Sequence, residues 1–275
     1  MRTYSLDDVH ATRKRRDSWW TVYFVDPVAC RAALVVANRT RLTPNQLTVI
    51  SLVLGMASAA CLAMDQLAAG AAMFYLSFMV DCLDGKIARL KGTGTPFGLW
   101  LDYVGDRIRV VFCAAGLAYG QYAITGDVSY VVLGAAVAVL DLFRYVNAPQ
   151  MKRVREAIKA EAGDESDESE DEPVGAAVAD EPVVAPVRER RVSFLRRLNR
   201  YLARHRVRSH LISGIEFHAA VFVVAPLVGT VALIPLAVAA SVLLLANEVF
   251  LVYRMWLFSR RHSVLSRGGR EHVLV

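Results

Sequence analysis

Apolar runs of near membrane-spanning length recur along this chain, and they leave few folds open to it. The runs cover residues 45–64, 68–90, 97–122, 128–146 and 213–258. A helix needs roughly 20 apolar residues to cross a bilayer, and inside lipid the backbone must satisfy its own hydrogen bonds. The last run is twice the others' length and is interrupted by Gly229 and Thr230 between Pro226 and Pro235. It therefore reads as two helices, for six spans in all. A soluble domain of this length rarely carries 55% hydrophobic residues and a mean hydropathy of +0.35. The expected fold class is an all-α integral membrane protein: six transmembrane helices plus an N-terminal interfacial amphipathic helix over residues 27–37, beside Trp19 and Trp20.

Basic residues orient these spans. Lys and Arg are missing from the short loops at 65–66, 123–127 and 229–230, and crowd the N-terminus, the 86–91 turn, residues 144–208 and the tail from Arg254. Both termini are thus expected in the cytoplasm. The net charge of +6 flanks apolar spans, so its partner is membrane lipid rather than nucleic acid. The expected organisation is an N-terminal segment 1–43, four spans within 44–150, a cytoplasmic loop 151–208, two spans within 209–258 and a tail 259–275. Within the loop, 163–172 is a block of acidic residues, expected to be disordered. Residues 192–205 place Phe194, Leu195, Leu198, Tyr201 and Leu202 at helical spacing among arginines, as in a basic amphipathic helix. The four cysteines have no paired spacing and read as free thiols.

Against this background, Asp81, Asp84, Asp102 and Asp106 stand out, because carboxylates near a bilayer core rarely persist without a role. Asp81, Asp84, Gly85 and Ala88 share one helical face, and Gly98, Asp102 and Asp106 share another. The glycine- and proline-bearing turn between Lys91 and Pro96 folds the two faces together. Four converging carboxylates suit a pair of hard divalent cations. Arg89 matches a pyrophosphate, and Gly85 and Gly98 leave room for a phosphate or nucleotide against backbone. The competing structural readings are an intramembrane Asp–Arg pair and glycines that serve helix packing.

The pattern Asp81-x2-Asp84-Gly85-x2-Ala88-Arg89-x8-Gly98-x3-Asp102-x3-Asp106 resembles the signature of the CDP-alcohol phosphotransferase (CDP-alcohol phosphatidyltransferase) family, without gap or substitution. Thr43-Pro44-Asn45 and Thr48 are similar to the start of that family's first helix. The resemblance implies that Asp81, Asp84, Asp102 and Asp106 hold two divalent cations, Mg2+ or Mn2+. It makes Asp106 the general base, and Gly85, Ala88, Arg89 and Gly98 the CDP pocket. It further implies attack by a polar alcohol on a CDP-alcohol donor with release of CMP, in a homodimer. The expected donor is CDP-diacylglycerol, with a soluble CDP-alcohol, as in the di-inositol-phosphate branch, as runner-up. The acceptor is a small polar alcohol such as inositol phosphate or glycerol phosphate.

A phosphorylated acceptor needs cations, and Arg144, Arg109 and Arg107 are the candidates, Arg144 foremost because Asp141 lies three residues before it. Glu216, His218 and Glu248 are polar residues in apolar surroundings without an assigned role. Two other classes compete. A membrane prenyltransferase would distribute its aspartates between separate halves, and a transporter would carry polar residues through the bilayer depth.

Overall fold

Local capping signals set where the helices begin and end. The computed structural model describes residues 3–162, 202, 205–208 and 212–271. Helix α1 spans Leu6–Ala11, and α2 spans Thr21–Arg39 and opens on a π-helical turn. Helix α3, Pro44–Ala63, starts on a reciprocal capping box between Thr43 and Gln46, with proline in the first turn, where no amide partner is needed. Helix α4, Leu67–Lys91, stops at Gly92, whose φ of 64° is the left-handed conformation that glycine adopts most readily. Three residues later Thr95 caps α5, Pro96–Thr125, so the expected turn between the two aspartate-bearing helices is short and defined at both ends.

Helix α6 runs Ser129–Ala162, and α7 covers Gly214–Val228 from a Ser213–Glu216 capping box. Helix α8 follows Gly229 and covers Thr230–Glu271. The expected break in the last apolar run thus narrows to one glycine (φ 110°), and Pro235 is accommodated inside α8. Helix α6 also continues through Pro149 well past residue 146, into the stretch expected as loop. The acidic block 163–172 and most of the amphipathic segment 192–205 lie outside the described residues.

The all-α membrane architecture holds, with six helices long and apolar enough to cross a membrane, but their membership differs from expectation. Helix α2 qualifies because it begins at Thr21, which adds an apolar turn ahead of the expected 27–37 segment; Arg31 sits on its exposed side. Helix α7 is shorter than a full span. It packs with α4 and α8 around Phe74, Phe217, Phe222, Leu233 and Leu244. Helices α3, α4 and α5 form the tightest group, helped by small residues: Gly116 meets the Ala59 carbonyl and Gly120 that of Leu62, contacts that a Cβ would block. On the outer surface Tyr119, Val139, Val146 and Val231 are exposed, as a lipid-facing surface requires. Helix α2 buries Val25, Ala29, Cys30 and Ala33 against Leu83 and Ile87 of α4. That docking places the chain's N-terminal segment beside the ends of α4 and α5.

Candidate active site

The two aspartate faces do meet. Asp81 from α4 and Asp102 and Asp106 from α5 each present a carboxylate oxygen within 4.8 Å of the others. Asp84 is one helical turn along from Asp81 and almost buried, and it accepts a 2.6 Å hydrogen bond from Thr48 Oγ1 of α3. All four aspartates line one cavity of about 490 Å³.

Helix α3 supplies the frame behind them. Asn45, Thr48, Ser51, Gly55 and Ser58 form a polar and small-residue stripe at helical spacing, turned toward α4 and α5. Ser51 Oγ donates to Asp81 Oδ1 at 3.2 Å and accepts from Arg109 Nη1 at 2.9 Å; Ser77 Oγ of α4 accepts from the same nitrogen at 3.1 Å. Arg109 Nη2 pairs with Asp106 Oδ1, and Nη1 lies 3.4 Å from Asp81 Oδ1. The arginine stem reaches this point across Gly55, where a Cβ would come within 2.7 Å of it. Arg109 is buried, so the guanidinium charge acts on these carboxylates at short range and low dielectric.

One arginine does not balance four carboxylates. Arg107 is the second cation nearby, 3.7 Å from Asp106 Oδ2, but it also pairs with Asp141. Lys86, inside the motif, turns the other way and pairs with Asp26 of α2 at 2.9 Å. The remaining negative charge and the all-oxygen donor set of Asp81, Asp102 and Asp106, with Asp84 on the same wall, fit a divalent cation. The competing reading, a simple intramembrane Asp–Arg pair, accounts for Asp106 with Arg109 and leaves this excess of carboxylates unexplained.

The other expected residues fall as follows. Gly85, Ala88, Arg89 and Gly98 all line the cavity. A Cβ at Gly85 would meet, among protein atoms, only the flexible end of Arg89, at 3.3 Å, so the space beside Gly85 belongs to the cavity. Gly98 differs: a Cβ there would lie 2.5 Å from Asn45 Oδ1 and 3.1 Å from Thr95 Oγ1, so a larger residue would have to displace the Asn45 side chain and crowd the hydroxyl that caps α5. Arg89 Nε donates to the Thr12 carbonyl at 2.8 Å, which draws the N-terminal segment to the cavity rim.

Arg107, Arg109 and Arg144 also line the cavity, each engaged with acids. Arg144 pairs with Glu248 of α8 at 3.4 Å rather than with Asp141, and lies against Gly214. Asp141 instead joins Arg107 to His218 of α7, whose Nε2 is 2.7 Å from Asp141 Oδ1. Glu216 caps α7 and accepts from the Ser213 amide at 2.8 Å. Ser51, Ser77 and Tyr145 were not singled out from sequence, and Asn45 only as part of the Thr43-Pro44-Asn45 start of α3, although the spacing of Asn45 and Ser51 with Thr48 already marks a common face.

A second group of cations closes the cavity's N-terminal side. Asp17 and Val207 pair as a short parallel bridge, with Asp17 N donating to Arg206 O at 2.8 Å and Arg208 N to Asp17 O at 3.0 Å. Arg206 donates through Nε and Nη2 to the Lys14 carbonyl, at 3.1 and 2.7 Å, and through Nη1 to Asp26 at 3.2 Å. Arg13, Lys14, Arg206 and Arg208 therefore all reach the cavity wall.

Fold and site together define a multi-pass integral membrane protein with a carboxylate- and arginine-lined cavity between its helices. Residues 41–165, a little under half of the chain, match the family profile described as CDP-alcohol phosphatidyltransferase. It is 46% identical over 67 residues to the bifunctional IPC transferase and DIPP synthase of Aquifex aeolicus, a stretch covering 24% of this chain and 15% of that protein. It is 41% identical over 78 residues to the phosphatidylinositol phosphate synthase of Mycobacterium tuberculosis, covering 27% of this chain and 36% of that one. The matched stretches are thus about a third or less of those relatives' lengths. A crystal structure of the Mycobacterium tuberculosis phosphatidylinositol phosphate synthase with CDP-DAG bound aligns at 22% identity and a TM-score of 0.42, over 85% of this chain and 94% of that one.

Proposed function

We propose that the protein transfers a phosphatidyl group from CDP-diacylglycerol to a small polar alcohol, with release of CMP. The observation that carries this reading is the meeting of Asp81, Asp102 and Asp106 from two helices in a cavity shared with Asp84, Gly85 and Arg89. Relatives named as synthases of phosphatidylinositol phosphate and archaetidylinositol phosphate favour a lipid donor and an inositol phosphate acceptor. Glycerol phosphate is the alternative acceptor of the same chemistry.

In this reading Asp81, Asp84, Asp102 and Asp106 hold two divalent cations, Mg2+ or Mn2+. Bound there, the cations offset the negative charge of the diphosphate and of the departing CMP. Thr48 and Ser51 orient Asp84 and Asp81, and Arg109 keeps Asp106 in line with them. Gly85 lets the nucleotide lie against the α4 backbone, and Arg89 at the cavity rim takes its phosphates. Asp106 accepts the proton of the alcohol hydroxyl as its oxygen bonds to the phosphatidyl phosphorus. The bond from that phosphorus to the CMP oxygen breaks, and CMP carries away the bonding pair. Arg144 and Arg107 supply positive charge on the wall where a phosphorylated acceptor enters. With α2 taken as an interfacial helix and α7 and α8 as two crossings, the basic-residue asymmetry favours a cytoplasmic side for this site and both termini, within reach of a soluble alcohol.

The test is CMP release by purified protein in lipid nanodiscs, with CDP-diacylglycerol and either inositol 1-phosphate or glycerol 3-phosphate. We expect release with Mg2+ or Mn2+, none after chelation, and recovery when either cation is returned. Absence of CMP from every donor and acceptor pair, including soluble CDP-inositol, would overturn the reading.

A further inference from the structure

The Asp141 carboxylate is fully buried on α6 and joins three helices behind the cavity wall. Its Oδ2 pairs with Arg107 Nη1 of α5, and its Oδ1 hydrogen-bonds His218 Nε2 of α7 at 2.7 Å. One helical turn along α6, Tyr145 lies under the same arginine, with its ring centroid 3.5 Å from Arg107 Cζ. Tyr145 is itself held from α5, where Tyr103 Oη donates to its carbonyl at 3.1 Å. Arg107 is thus fixed on two sides before its second nitrogen is considered.

That nitrogen, Nη2, lies 3.7 Å from Asp106 Oδ2, while Asp106 Oδ1 is paired with Arg109. The two oxygens of one carboxylate are held by two different arginines. Consecutive residues on a helix point about 100° apart, so Arg107 has no intrinsic tendency to lie beside Asp106. An external anchor must turn it there, and Asp141 and Tyr145 are that anchor. A fully buried carboxylate spent only on holding helices together is a poor choice, since apolar residues of similar volume do that at least as well. Asp141 lies behind the wall, and the Arg107 and His218 side chains it holds line the cavity together with Tyr145 and the aspartates, so its position bears on the site rather than on packing alone.

We propose that Asp141, seated by His218, is a positioning residue that fixes Arg107, and that Arg107 in turn fixes the orientation of the Asp106 carboxylate. The inference rests on the transferase reading above. It makes α6 and α7 part of the catalytic arrangement although neither carries a motif residue.

A double-mutant cycle tests it, with kcat and both KM values measured for CDP-diacylglycerol and whichever of inositol 1-phosphate or glycerol 3-phosphate the wild type uses. Arg107→Gln and Asp141→Asn should each lower kcat by about tenfold or more, because a misplaced base loses part of its contribution. The KM for CDP-diacylglycerol should stay within about threefold in each variant, and the double variant should have a kcat no lower than that of Arg107→Gln alone. His218→Gln, which keeps a nitrogen donor near the Nε2 position, should retain near wild-type kcat, and His218→Phe should not. Multiplicative losses in the double variant, an unchanged kcat, or a change confined to KM would overturn the proposal. If Asp141→Asn does not fold, His218→Gln and His218→Phe in the wild-type and Arg107→Gln backgrounds give the same comparison. Failure of the wild type itself to release CMP would be a failure of the transferase reading and is distinguishable from all of these.

Discussion

Gly85 and Gly98 look equivalent in the sequence, and their surroundings separate them. A methyl group at Gly98 would displace the Asn45 side chain and crowd the Thr95 hydroxyl that caps α5, so Gly98→Ala should lower thermal stability in detergent as well as activity. Gly85→Ala would meet the end of the Arg89 side chain at 3.3 Å; its thermal stability should match the wild type while the KM for the nucleotide donor rises. Equal destabilisation by the two would contradict this distinction. Asp84→Ala should abolish metal-dependent CMP release, and full turnover would remove Asp84 from the proposed metal set. The four aspartates and their two faces were legible from spacing alone, because i, i+3 and i+4 positions on a helix share a side. The role of Arg109 was not. It sits three residues after Asp106, but its burial depends on Ser51 and Ser77 from two other helices, and on Gly55 leaving space for its stem. Spacing within one helix contains none of that.

Among the elements, α3 contributes most to the site that its sequence did not announce. It has no charged residue, yet its stripe of Asn45, Thr48, Ser51 and Ser58 forms the polar floor on which α4 and α5 rest. The apolar runs, the glycine-rich turn and the break at Gly229 were readable because they follow from length, composition and glycine's freedom of φ. The division between spanning and shorter helices was harder to read: α2 gains an apolar turn before Asp26, and α7 has only the residues between Ser213 and Gly229. Thr95 offers a test at this scale. Its hydroxyl caps α5 by accepting from the Gly98 amide at 3.0 Å, so Thr95→Ala should cost about 1 kcal/mol, seen as a lower Tm. Thr95→Ser should restore it.

At the scale of the whole molecule, the aspartate cavity draws on the length of the chain, from Arg13 through α3, α4, α5 and α6 to His218. Residues 163–172 include none of the side chains assigned to the site, and CMP release by a variant lacking them should stay within about twofold of wild type; a larger loss would tie the acidic block to the reaction. The bridge between Asp17 and Val207, with Arg206 clasping Lys14 and Asp26, gives this arrangement a further property. Residues 205–208 and helices α7 and α8 are joined to the N-terminal segment and α4 by hydrogen bonds, ion pairs and a shared apolar core, beyond their continuity in the chain. The molecule is in that sense two interlocking pieces. Co-expressed as separate polypeptides, residues 1–162 and 202–275 should find each other in the membrane and reconstitute one working unit.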